Sequence, residues 1–248
     1  MFDTLNPSDL NESNARLLRE PTKTRPPIWI VKEGGKKAVV KDFSRQGWLY
    51  RNIVGRILIW RERKAYEMLQ GIQGVPCLYR TIPGKALIIE AIDGQDLRTF
   101  ERELISMAQD GSETSALEEK KKLLSLDFFL NIKKLVDEIH ERGAVHCDLK
   151  RTPNIMIGKD GNPYIVDWAA FIAKNEARIF PLNILYKRFL QDDYLSITKL
   201  KVNNRPDLAT EEEHQAYKDY KAGREEAGFE RTIREFRKKI RTLLKKMA

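Results

Sequence analysis

The sequence predicts an α+β protein, with a small sheet-rich portion first and a helical portion second. Three observations carry this. Two short apolar runs, residues 28–31 and 38–40, flank Glu33-Gly34-Gly35 and two lysines, a hairpin signal because glycine supplies the positive φ of a tight turn. Ile155-Met156-Ile157 and Tyr164-Ile165-Val166 flank GKDGN in the same manner. Each hairpin is joined by a stretch whose apolar residues recur at helical spacing. Strands with helices in each half, the sheet weighted to the first, give the α+β arrangement.

Taken in order, residues 1–27 are polar and contain proline, so an arm or loosely ordered entry is expected. After the first hairpin, residues 49–69 turn helical and end at Gly71, a cap. KALIIEAIDG is a short apolar strand that stops at Asp93-Gly94. Residues 123–142 form the second helix, with Phe128, Ile132, Leu135, Val136 and Ile139 on one stripe and Gly143 closing it. The second hairpin follows. Everything after Ile172 reads mainly as helix and connection.

At 248 residues and 42% hydrophobic content, the chain can bury a core. No basic segment followed by an apolar run opens it, so no secretory signal is expected, and no apolar window is long enough to span a membrane. Cys77 and Cys147 lack the spacing of a metal site or a disulfide framework, which makes a reducing cytoplasm the default. The net charge of +9 favours acidic partners. Much of it lies at the end, where residues 229–248 hold eight Lys or Arg against two Glu.

The chemistry is concentrated in VHCDLKRTPNIMIGKDGNPYIVDWA. Phosphoryl transfer from ATP needs a cation on the phosphates, oxygen ligands on Mg²⁺ and a carboxylate near the attacking hydroxyl. Asp148 lies in a polar loop just after a helix, Asn154 at the edge of a strand, and Asp167 at the end of its partner. Hairpin pairing brings Asn154 and Asp167 together at the open end, a set that suits Mg²⁺. Singly, each residue reads as a turn former or strand stop; together they read as a site. Glu62 supplies an independent sign, because it shares helical spacing with Leu58, Ala65, Tyr66 and Leu69. A carboxylate on an apolar stripe wants a buried cation. Lys41, ending the run 38–40, is the natural candidate; the alternative is that Glu62 sits at the stripe's margin and reaches solvent.

These residues resemble the two-lobed protein-kinase-like fold, and within it the small bacterial RIO-like kinases and the lipopolysaccharide core (Kdo/heptose) kinases. Lys41 in AVVK looks like the β3 lysine, Glu62 in RERKAY like its helix partner, HCDLKRTPN like the catalytic loop and IVDWA like the DFG position. The resemblance implies an arm and degenerate phosphate-lid region over residues 1–27, an N-lobe and hinge over 28–92, and a C-lobe over 93–248 with a reduced activation segment. It implies that Asp148 is the catalytic base or the group that orients the hydroxyl, that Lys150 lies near the transferred phosphoryl group, and that Lys41, held by Glu62, contacts the phosphates. It makes Asn154 and Asp167 the ligands of Mg²⁺, or of Mn²⁺ as a substitute, and Glu90 to Ile92 the hinge that meets adenine, with Ile89 as gatekeeper. His146 packs and shapes the loop.

The chain also departs from the family pattern. EGG falls at the β2–β3 turn, leaving REPTKTRPP where a glycine-rich lid would be; Lys23 or Arg25 either contacts phosphate or belongs to a solvated basic loop. Cys147 replaces an arginine that reads an activation-loop phosphate, so control by that route is not expected. Trp168-Ala169 in place of Phe-Gly argues for a fixed metal-site conformation. Asp192 or Asp193 either braces the catalytic loop or starts a helix. In the tail, Phe229, Ile233, Phe236, Ile240, Leu243 and Met247 follow helical spacing, for packing on the C-lobe or for peripheral contact with an anionic membrane. Direct nucleic-acid binding is not expected. The function implied is an ATP- and Mg²⁺-dependent kinase acting on a hydroxyl, either protein Ser/Thr or a glycolipid core sugar, in the cytoplasm or at the inner membrane face. The rival is a catalytically silent nucleotide-binding scaffold.

Overall fold

The computed structural model describes residues 2–110 and 114–226 and divides into two compact units. The basic tail expected to be an amphipathic helix lies outside the described residues. Among those described, no helix is long and apolar enough to cross a membrane.

The first unit holds residues 2–70 and 76–92. Five strands, β1 (Arg16–Arg19), β2 (Ile28–Glu33), β3 (Lys36–Asp42), β4 (Leu78–Ile82) and β5 (Ala86–Glu90), form an antiparallel sheet in the order β1-β2-β3-β5-β4. Gly34 and Gly35 have φ of 55° and 77° and make the two-residue turn between β2 and β3. On one sheet face Trp29, Val31, Ala38, Val40 and Ile88 form a core with Phe2, Leu10 and Ala15. Side chains alternate along a strand, so Lys41 points to the opposite face from Val40. A short helix α1 (Trp48–Tyr50), a π-turn (Arg51–Gly55) and α2 (Arg56–Met68) follow. α2 buries Ile59, Glu62, Ala65 and Tyr66, the face expected from its spacing.

The first 27 residues are not a loose arm. β1 pairs with β2, Phe2 and Leu10 are buried, and Arg80 donates to the carbonyls of Phe2 and Asp3 at 2.8 and 2.6 Å. A four-residue strand with two apolar positions is too short for its period to show in the sequence.

The second unit holds residues 71–75 and 93–225. β6 (Gly94–Asp96), β8 (Ile155–Gly158) and β9 (Pro163–Ile165) form one antiparallel sheet, β7 (Ala144–Val145) and β10 (Ile172–Ala173) a second. Gly94 is required by close approach: a Cβ there would stand 2.1 Å from the Ile157 carbonyl. The helices are α3 (Leu97–Gln109), α4 (Thr114–Lys121), α5 (Leu126–Glu141), α6 (Leu182–Asn204) and α7 (Glu211–Glu226). α5 buries the expected stripe together with Phe129. It starts three residues later than its periodicity suggests because Ser125 caps it, accepting from the Phe128 amide at 3.1 Å. β10 interrupts a region expected to be helix and connection. α6 packs Tyr186, Leu185 and Phe189 against Val145, Cys147 and Ile172, which fixes the strand that leads into His146.

Candidate active site

In the first unit, Lys41 Nζ donates to Glu62 Oε1 at 2.5 Å. Both are buried, at 9% and 3% exposure, so Glu62 does not reach out to solvent. Two charges removed from water are tolerable only as a pair, and here strand alternation and the α2 stripe bring them together from 21 residues apart. At the end of β5 the Glu90 amide donates to the Cys77 carbonyl at 2.8 Å and the Ala91 amide to the Lys37 carbonyl at 3.1 Å. The Glu90 side chain accepts from the Cys77 amide at 3.1 Å. Among the described residues the Ile92 amide has no such partner. Ile89 is buried on β5 opposite Val39. Burial, with the Glu90 carboxylate adding to it, pushes the Cys77 thiol up, the opposite of what a nucleophilic cysteine needs.

REPTKTRPP forms the β1–β2 connection. Thr22 and Arg25 close a tight turn through their backbones. It is held by side chains instead of glycine geometry: Gln46 Nε2 donates to the Arg25 carbonyl at 3.1 Å, Tyr50 to the Thr24 carbonyl at 2.8 Å, and Arg19 to the Pro26 carbonyl at 3.0 Å. Burial raises the Tyr50 hydroxyl above its ordinary pKa, against the nearby Arg19 charge, so it stays a donor. The Lys23 and Arg25 side chains are exposed.

In the second unit, β7 leads into His146, which is 1% exposed. Its amide donates to Asp193 Oδ2 at 3.0 Å, its Nδ1 accepts from the Asp148 amide at 3.3 Å, and its Nε2 lies 3.0 Å from the Val166 carbonyl. An acceptor at Nδ1 and a carbonyl at Nε2 put the proton on Nε2, leaving neither nitrogen for proton transfer. The ring also packs edge-on to Trp168, centroids 4.6 Å apart. His146 is thus a shaping residue. Of the two aspartates proposed as a brace, Asp193 is the one: it also meets His140 Nε2 at 3.1 Å, whereas Asp192 pairs with Arg188 along α6. His140 was missed in the sequence. The signal was its place one turn beyond Val136 on the buried stripe of α5.

Cys147, at φ 64°, turns the chain so that Asp148 leaves the buried strand. The Asp148 carboxylate is partly exposed and lies 3.2 Å from Arg151. Asn154 is buried, and its Nδ2 donates to the Asp148 carbonyl at 3.0 Å. The amide is thereby fixed with Oδ1 as its remaining atom, an oxygen of the kind Mg²⁺ accepts. The Asn154 carbonyl accepts from the Val166 amide at 2.9 Å, so Asp167 is one step beyond the residue paired with Asn154. Asp167 has φ 68° and ψ 64°, a left-handed conformation uncommon outside glycine. Trp168, wholly buried, donates from Nε1 to the Ile165 carbonyl at 3.2 Å and anchors the turn that follows. Lys150 lines a groove with α3 and α6. Among the described residues no three His, Cys, Asp or Glu gather as a metal cluster. Asn154 and Asp167 are the residues that could hold an ion, a pair few enough for one that keeps waters and phosphates as its other ligands.

No protein-family model matches the chain, and no curated protein does. Solved structures do. One similar structure is the complex of Rio2 kinase from Chaetomium thermophilum with ADP, Mg²⁺ and phosphoaspartate, at 14% identity and a TM-score of 0.49, covering 80% of this chain and 57% of that one. The chain thus spans little more than half the length of the kinase it is similar to.

Proposed function

We propose that the chain is an ATP- and Mg²⁺-dependent phosphotransferase that moves the γ-phosphoryl group to a hydroxyl. The observation that carries this reading is the joined geometry of the loop and hairpin. The Asp148 carbonyl locks the Asn154 amide, and Asp167 follows the residue paired with Asn154 in a left-handed conformation. A structural turn has no need for Asp148, Asn154 and Asp167 together on one loop and hairpin, and non-glycine residues held left-handed gather at functional sites. The buried Lys41–Glu62 pair supports the same reading.

In this assignment Lys41 contacts the phosphates, oriented by Glu62, while the Glu90 carbonyl and the Ile92 amide meet adenine. Asn154 and Asp167 would hold Mg²⁺ or Mn²⁺, which when bound neutralises phosphate charge. Asp148 orients the acceptor hydroxyl and takes its proton. The acceptor oxygen bonds to the γ-phosphorus, the bond from that phosphorus to the bridging oxygen breaks, and ADP leaves. Lys150 lies near the group in transit. The acceptor is a Ser/Thr protein or a glycolipid core sugar, the latter placing the enzyme at the inner membrane face.

Transfer of radiolabel from γ-labelled ATP with Mg²⁺, to cell extract separated into protein and lipid fractions, tests this. Asp167→Ala and Asp148→Asn should each lower transfer by about 10²-fold or more. The fraction that carries label names the acceptor. ATP binding without transfer by the wild type would overturn the reading in favour of a silent nucleotide-binding scaffold, the alternative motivated by the β1–β2 connection that lacks glycines.

A further inference from the structure

Within the second unit, a groove of about 390 Å³ lies between α3, the loop after Asp148 and α6. Arg98 and Glu101 line it from α3, Lys150 and Arg151 from the loop, and Lys199 from α6. Four cations therefore share a concavity with one carboxylate. Nor is that carboxylate spent on the cations, since Glu101 accepts from the Asn204 side chain at 3.3 Å. Arg151 is paired with Asp148. Among the described residues, Arg98 and Lys199 have no ion-pair partner. Like charges turned into one groove repel, and low-dielectric walls focus their field on whatever enters. A fold needing only solubility would spread these groups over convex surface.

We propose that this groove binds a compact oxyanion, a phosphate or carboxylate carried by a small polyhydroxylated acceptor of the sugar-phosphate type. The volume lies at the small end of ligand pockets, which suits one sugar-sized group and not an extended peptide. Arg98 and Lys199 hold the anion, and Glu101 accepts from a ligand hydroxyl. The Leu149–Thr152 wall belongs to the same loop as Asp148, so an anchored ligand keeps its remaining hydroxyls near that carboxylate. The ligand's role as acceptor rests on the phosphotransferase reading; its binding does not.

Calorimetric titration of the full chain without ATP, using a hexose 6-phosphate, the neutral hexose, inorganic phosphate and an acidic peptide, tests the groove directly. The hexose phosphate should bind, the neutral hexose should not, and binding should fall steeply with salt. Weaker binding of inorganic phosphate alone is expected, because it lacks the hydroxyls Glu101 would take. Arg98→Ala and Lys199→Ala should each weaken hexose phosphate binding about tenfold while leaving ATP affinity unchanged. Equal binding of both hexoses, a preference for the acidic peptide, or unaltered affinity in both variants would overturn the proposal. If the hexose phosphate binds through Arg98 and Lys199 but no phosphoryl transfer is found, the groove stands and the phosphotransferase reading falls. If extract acceptors are labelled equally by wild type and both variants, the phosphotransferase reading stands and the groove ligand's role as acceptor falls.

Discussion

Glu62 in the first unit and Asp193 in the second are carboxylates withdrawn from water to almost the same degree, at 3% and 2% exposure, yet they are neutralised by different means. Glu62 meets a lysine ammonium. Asp193 meets a backbone amide of the loop it braces and an imidazole from α5. An ammonium is a charged group on a long, flexible stem with three rotatable donors. An amide cannot be shared or moved, so the Asp193 arrangement serves to hold a loop in place. The contrast separates a side chain neutralised by another side chain from a backbone held for its neighbours.

The largest expected effect is on the first of these. Glu62→Ala takes away the carboxylate that buried Lys41 donates to, and should cost up to about 3–5 kcal/mol, read as a lower midpoint in urea unfolding. A Lys41→Met, Glu62→Leu double variant removes both charges and should recover most of that loss without recovering phosphoryl transfer. If Glu62→Ala alone leaves stability unchanged, the pair is not buried in solution and its role in holding Lys41 fails.

Asp193→Ala comes next. It leaves the His146 amide without its acceptor, at about 1–3 kcal/mol, and releases His140 at the same time. Activity should fall further than stability implies, because His146 in turn accepts from the Asp148 amide. Asp193→Asn keeps an acceptor oxygen for the amide and should retain more activity than the alanine variant. Equal activity in wild type and Asp193→Ala would show that the brace does not govern Asp148.

The two carboxylates also mark how much could be seen in the sequence. Glu62 was legible because a charged residue broke an apolar period, and the run ending at Lys41 offered one cation to meet it. Asp193 was legible only as one of two adjacent aspartates, since the rotation of α6 about its axis depends on packing against α5, β7 and β10. β7 and β10, two residues each, have no period to read. α3 has a sequence signal only in its cap, Asp96, which accepts from the Arg98 and Thr99 amides. The expected arm failed for a related reason: Phe2 and Leu10 are isolated apolar residues in a polar tract, and only the sheet face that receives them makes them core.

A third carboxylate extends the comparison and gives the smallest effect. Asp137 is met by neither cation nor amide but by the Tyr194 hydroxyl at 2.5 Å. Tyr194 packs edge-on to His140 at 5.1 Å and adjoins Asp193, so the hydroxyl lies among acidic groups. Burial first, and then donation to Asp137, pushes its pKa up to about 12 from 10.0. For an acid raised in the folded state, the stabilisation is fully present below the unfolded pKa. As pH climbs from 10 toward 12, unfolded chains ionise Tyr194 while folded ones do not, and stability declines across that window. Absorbance titration of the folded protein should show one more tyrosine ionising at the alkaline end in the wild type than in Tyr194→Phe, and the variant should lose less stability over the same interval. Coincident titration curves would mean that the Tyr194 hydroxyl is hydrated instead of held by Asp137.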